Sequence, residues 1–149
     1  MSLQFLKAGT ADAVSLMCIS KKAFDSDVEV GASSVGGPPG YNSLSFHTKM
    51  ARMNCLYKLV DDCKIVGGAL LFLKDDILNV GRIFVDPEYF CKGYGIFMMQ
   101  QIEALFPEVK IFTLDTPIWN VRTNAFYQKI GYKEIKRDKE FVFYSKKRI

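Results

Sequence analysis

Residues 65–73, IVGGALLFL, form an unbroken apolar run bracketed by the polar turns Asp61-Asp62-Cys63-Lys64 and Lys74-Asp75-Asp76. A run of this length between turns fits a strand buried on both faces. Its neighbours, Cys55 to Asp61 and Ile77 to Val85, alternate with period two and read as strands on either side of it. A strand with no wet face requires helices above and below its sheet.

Helical spacing supplies those layers. After a short strand from Leu3 to Lys7, Thr10 is the expected N-cap with Asp12 in the first turn, and Ala13, Leu16, Met17, Ser20, Ala23 and Phe24 make one apolar face. Beyond the loop at residues 31–40, GASSVGGPPG, a second helix is expected to turn Phe46, Met50 and Met53 inward. A third, Gly93 to Phe106, presents Met98, Met99, Ile102, Leu105 and Phe106 and stops at Pro107. Val109 to Leu114 reads as a strand, Val121 to Ile130 as a helix closed by Gly131 at C′, and Tyr132–Lys136 and Phe141–Ser145 as two last strands. The order βααβββαβαββ predicts an α/β fold, a mixed central sheet of about seven strands flanked by four helices. At 149 residues, one domain over 1–149 is expected.

Composition narrows the class. No apolar run nears the ~18 residues of a membrane span, and the opening Met-Ser-Leu-Gln-Phe-Leu-Lys lacks a signal peptide's basic region and cleavage site. A cytoplasmic protein without a membrane partner is expected. Cys18, Cys55, Cys63 and Cys91 show no Cys-x-x-Cys spacing and there is one histidine, so no metal is expected and the thiols read as reduced. The formal charge of +4 resides in residues 133–149, which hold seven Lys or Arg against three Asp or Glu. The remainder balances, which argues against a nucleic-acid partner. Monomer and homodimer both remain open.

Chemistry concentrates in Val85 to Ile96, VDPEYFCKGYGI, which passes from strand through a glycine turn into a helix. Gly93 and Gly95 let the backbone approach a ligand, and the free N–H groups of a helix start suit a pyrophosphate, to which Lys92 adds a point charge. By itself Gly-x-Gly is also consistent with a plain turn. No Gly-Lys-Ser/Thr ending marks a P-loop and no third glycine a dinucleotide site.

Downstream lies Asn120-Val121-Arg122-Thr123-Asn124-Ala125-Phe126-Tyr127-Gln128-Lys129-Ile130-Gly131-Tyr132. Val-Asp-Pro-x-Tyr-x-x-Lys-Gly-x-Gly together with Asn-x(5)-Phe-Tyr-x-Lys-x-Gly-Tyr resembles the GNAT superfamily of acetyl-CoA-dependent N-acyltransferases. The resemblance implies the acyl-CoA N-acyltransferase fold, acetyl-CoA as cosubstrate and a primary amine as acceptor, attacked directly in a ternary complex. It assigns Phe90, Cys91, Lys92, Gly93, Tyr94, Gly95 and Ile96 to the pyrophosphate turn. The family's opening Arg or Gln is here Phe90, which removes one side-chain contact but no amide. Ile83, Phe84 and Val85 fall where the family's strand splays at a bulge and offers amides to the pantetheine arm and thioester oxygen. Asn120 matches the family asparagine on the carrier arm, and serves equally well as a helix N-cap. Tyr127 matches the general acid that protonates the departing thiolate, with Phe126 beside it on the carrier; an aromatic pair on a helix also reads as core.

Acyl transfer needs amides aimed at the developing oxyanion, worth roughly 3–4 kcal/mol per donor, and a proton for the thiolate. A lysine-like amine of pKa ~10.4 is neutral about once in 2,500 at pH 7, which costs ~4.6 kcal/mol, whereas an α-amine near pKa ~8 costs ~1.4 kcal/mol. Some family members place a glutamate for this proton where Asn79 stands here, which leaves Asp115 and His47 as candidate bases. The acceptor is expected beneath the loop of residues 25–41, where Asp25, Asp27 and Glu29 would suit a cationic amine. The other reading is a non-catalytic acyl-CoA-binding or sensor module of the same fold, which Phe90 and Asn79 favour.

Overall fold

The computed structural model describes residues 2–148. Its elements run β1 (Leu3–Lys7), α1 (Ala13–Asp25), α2 (Leu44–Arg52), β2 (Leu56–Asp61), β3 (Lys64–Lys74), β4 (Ile77–Val85), α3 (Tyr94–Leu105), β5 (Ile111–Pro117), α4 (Val121–Lys129), β6 (Lys133–Arg137) and β7 (Phe141–Lys147). The strands form one sheet in the order β1-β2-β3-β4-β5-β7-β6. All neighbours are antiparallel except β4 and β5.

Two cores sandwich the sheet. Leu16, Ile19 and Ala23 of α1 and Met50 and Ala51 of α2 pack on Leu56, Leu70 and Phe84. On the opposite face Met98, Met99 and Ile102 of α3 and Tyr127 of α4 pack with Leu59, Leu71, Val80, Phe112 and Tyr144. β3 feeds both cores from Val66 to Leu71, as its apolar run predicts, but Phe72 and Leu73 extend past the helices into solvent. No described helix is long and apolar enough to cross a membrane.

Several local expectations give way to tertiary geometry. Thr10 is not a cap: Gly9 precedes a 3-10 turn over Thr10–Asp12, and its N–H donates to the Asp12 carboxylate at 2.9 Å. Met53 and Leu105 are exposed because each sits at the end of its helix, beyond the reach of the sheet. β5 begins two residues late, at Ile111, and continues to Pro117, so Asp115 is a strand residue opposite Phe143.

The feature that makes a site is the failure of β4 and β5 to stay together. They pair from Ile77↔Ile111 to Asn79↔Thr113 and then part. The side-chain amide of Asn79 closes the fork by donating to Thr113 Oγ1 at 3.0 Å. At the same level β4 carries a one-residue bulge at Gly81, where its register against β3 jumps from Leu71↔Val80 to Leu70↔Arg82. This is two residues before Ile83, the first position assigned to it from the resemblance. Val80 and Phe84, four residues apart, would share a face in a regular strand; the extra residue sends them to opposite cores.

Candidate active site

The fork opens into a cleft of about 840 Å³ that runs between β4 and β5, past the starts of α3 and α4, to the loop after α1. Among the residues assigned from sequence, Ile83, Phe84, Val85, Phe90, Cys91, Gly93, Tyr94, Gly95, Ile96, Asn120, Phe126, Tyr127 and Asp115 all line it. Lys92 is exposed and lies outside its walls, and His47 is also absent from them.

At one end lies the turn into α3. A 3-10 turn over Pro87–Tyr89 is capped by the buried Asp86 carboxylate, which accepts from Glu88 N–H at 3.1 Å and pairs with Lys22 at 3.1 Å. Cys91 and Gly93 then take left-handed backbone angles, φ 64° and 80°, and reverse the chain into the helix. The first helical bond runs from Phe97 N–H to Gly93 C=O. The N–H groups of Gly93, Tyr94, Gly95 and Ile96 therefore have no main-chain acceptor among the described residues, and they gather the positive end of the helix dipole. Tyr94 anchors this first turn from below, its hydroxyl donating to Asp61 at 2.6 Å. A Cβ on Gly95 would stand 3.3 Å from Phe126, so the glycine lets α3 and α4 close on each other.

The β4 wall is main chain. Asp86 N–H donates to Val66 C=O at 2.8 Å. Counting back along an antiparallel ladder, the peptide groups of Phe84 turn toward β3 and those of Ile83 and Val85 toward the open fork. The facing wall comes from β5 and α4. Asn120 is both cap and lining: it is buried, and its Oδ1 accepts from Thr123 N–H at 3.0 Å. Tyr127 is 6% exposed and packs among Phe126, Tyr132 and Tyr144, while its hydroxyl has no hydrogen-bond partner among the described residues. Burial, with the negative charge of Asp115 adding to it, pushes this phenol well above its ordinary range and keeps it protonated. Asp115 is itself pushed up, by partial burial and by Asp138.

The far end is the loop after α1. Of its three acids, only Asp27 lines the cleft. Burial raises its carboxyl, opposed by the charge of Arg122 and by the Asn120 side chain. Asp25 is instead taken up by Lys21 at 2.5 Å and by the Tyr41 hydroxyl at 2.8 Å, and Glu29 is exposed. The expected acidic lining thus reduces to one carboxylate. Gly31, at φ 125°, lies so close to Trp119 that a Cβ would stand 2.6 Å from its carbonyl oxygen, which seats the loop on the β5–α4 connection. His47 is fully buried, with Nδ1 2.8 Å from Ser43 C=O, and burial drives its pKa down. That position removes it as a base.

Two charged lining residues escaped the sequence reading, Arg82 and Arg122. The Arg122 guanidinium sits 4.8 Å above the Phe90 ring, so α4 sets a cation beside the residue that opens the turn into α3. The signal in sequence was the arginine two residues after the Asn120 cap. Arg82 sits on the loop side of β4, its Nη2 donating to Pro39 C=O and its guanidinium 4.7 Å from the Phe46 ring.

A mixed sheet split between its two parallel strands, with an unpaired helix start at the split, is the acyl-CoA N-acyltransferase (GNAT) fold. A family model described as an acetyltransferase (GNAT) domain matches residues 53–134. The chain belongs to that family. It is 30% identical over 80 residues to the uncharacterized protein YrkN of Bacillus subtilis (strain 168), a match spanning 52% of this chain and 43% of that protein, so the chain spans less than half of that relative's length. The PaiA N-acetyltransferase from Thermoplasma acidophilum, solved in complex with coenzyme A, superposes with a TM-score of 0.86 at 16% identity, covering 99% of this chain and 100% of that one. A GNAT-family acetyltransferase from Streptococcus agalactiae 2603 gives 0.84 at 16% identity, over 99% and 96%. The ribosomal-protein-S18-alanine N-acetyltransferase from Escherichia coli gives 0.71 at 14% identity, over 98% and 94%. At these identities the likeness to solved structures is one of fold.

Proposed function

We propose that the chain is a single N-acetyltransferase domain that moves the acetyl group of acetyl-CoA to a primary amine in a ternary complex. One observation carries this reading: a single cleft joins the unpaired amides of α3, the free main-chain edge of β4, the protonated Tyr127 and the loop after α1.

The pyrophosphate of the carrier rests on the N–H groups of residues 93–96, with Arg122 as the nearby side-chain cation. The pantetheine arm lies along β4 between the peptide groups of Ile83 and Val85 and the Asn120 side chain. The amine nitrogen attacks the thioester carbonyl carbon, and the oxygen that gains charge faces the free N–H groups of β4. The C–S bond then breaks. Tyr127 gives its proton to the departing sulfur and regains one from solvent. The proton lost by the amine passes to Asp115, whose raised pKa makes it a better acceptor than an ordinary aspartate. No group at Asn79 competes for that role, since its amide is spent on Thr113.

Titration calorimetry with coenzyme A and a thiol-release assay over a panel of amines test the reading together. Tyr127→Phe should lower kcat by about a hundredfold or more while coenzyme A affinity stays within about twofold, because the ring and its packing remain. Unaltered turnover in that variant would remove Tyr127 from the mechanism. The sensor reading, which Phe90 and Asn79 favour, instead predicts heat on binding and no thiol from any amine.

A further inference from the structure

Arg82 is the one basic side chain in the cleft wall, among the described residues, that the transfer itself does not use. The bulge at Gly81 places it on the same face as Phe84, toward α1, α2 and the loop between them. There it is half-buried against the Phe46 ring, and of the guanidinium's five N–H donors it uses one, to Pro39 C=O. Nη1 is buried with no partner among the described residues.

Among the described residues no carboxylate pairs with this charge. Arg82 is in none of the ion pairs, and burial alone acts on its charge, disfavouring it. The acids of the loop after α1 face other groups: Asp25 binds Lys21 and Tyr41, and Asp27 feels the charge of Arg122. His47, packed beside the Phe46 ring, is neutral and feels Arg82 only as a repelling charge. A desolvated guanidinium without an anion is costly, and proteins ordinarily pair it. Here the residue lines the cleft.

We infer that Arg82 selects the acceptor, and that the acceptor is a small amine bearing its own carboxylate, a free amino acid, whose carboxylate binds the guanidinium. A carboxylate matches the planar fork and brings the charge that the protein omits. Arg82 immediately precedes Ile83, whose peptide group faces the acyl carbon under the proposed function on which this inference rests. The carboxylate and the reacting amine must therefore lie close together on one molecule. A polyamine or a lysine side chain would instead bring a second cation against Arg82.

The test is thiol release with acetyl-CoA from small, apolar, acidic and aromatic L-amino acids, each beside its α-carboxamide. The carboxylate raises the amine pKa, so intrinsic reactivity favours the amide, and a preference for the acid reports recognition. The wild type should prefer the acid of its best pair by about tenfold or more in kcat/KM. Arg82→Gln should collapse that ratio toward unity through acceptor KM, leaving the KM for acetyl-CoA within about twofold, and Arg82→Lys should restore part of it. A ratio that survives in Arg82→Gln, or thiol release from amines with no preference for the acid, overturns the inference and leaves the transferase reading standing. Absence of any heat with coenzyme A fells both.

Discussion

Asn120 caps α4 and, under the proposed function, also holds the carrier arm, and substitution can separate the two. Its Oδ1 caps α4 through Thr123 N–H at 3.0 Å, and the residue, 3% exposed, lines the cleft. Asn120→Ala deletes the cap, which costs about 1–2 kcal/mol. For a chain of this size each kcal/mol moves Tm by roughly 2–4 °C, so the melting temperature should fall by roughly 2–8 °C. Asn120→Ser keeps an oxygen able to accept from the same N–H, and should recover most of that loss. Serine's hydroxyl does not reach as far as the amide. If Asn120 also binds the carrier arm, both variants should bind coenzyme A about tenfold more weakly, the worth of one good hydrogen bond. Scanning calorimetry reads the first quantity and titration calorimetry the second. Wild-type affinity for coenzyme A in both variants would reduce Asn120 to a cap, and an unchanged Tm in Asn120→Ala would refute the cap energetics.

Gly93→Ala meets open space but must hold φ 80°, so it should lose about 1–2 kcal/mol in a urea melt, together with coenzyme A affinity as the amides turn aside. Gly31→Ala, which combines φ 125° with a 2.6 Å approach to the Trp119 carbonyl, should raise the acceptor KM while coenzyme A affinity holds, since it lifts the loop and not the α3 turn. Because burial lowers the His47 pKa below its ordinary 6.5, the unfolded chain takes up the proton first. The stability that neutral His47 contributes is therefore complete above about pH 6.5 and declines as pH falls through and below that value. His47→Gln should flatten that part of the urea-stability profile; equal slopes for wild type and variant between about pH 7 and 5 would contradict the assignment.

The element order was legible because each stretch keeps one hydrophobic period, and the α3 turn because its glycines stand next to a strand and a helix in sequence. Asn120 and Tyr127 were legible through the resemblance alone, since burial and cavity are not local properties. The bulge at Gly81 left no mark, being a matter of register against β3. With it went Arg82, whose face depends on that extra residue. Arg122 escaped for a similar reason: its partner, Phe90, is brought to it by the packing of α3 on α4 and lies far away in sequence. The end residues Met53 and Leu105 fit their helical periods, but periodicity carries no information about where a sheet stops.

The parted edge of β4 has a genetic consequence. Every residue type except proline brings the same peptide N–H to a given position. Point mutations along 83–85 can thus exchange one side chain for another without deleting a donor from the fork. Only a proline codon removes one, and only a change at Gly93 or Gly95 bends or crowds the neighbouring turn. A saturation library scored for carrier capture should therefore be tolerant at 83 and 85, with its deepest losses in the proline column, at the buried Phe84 and at those two glycines.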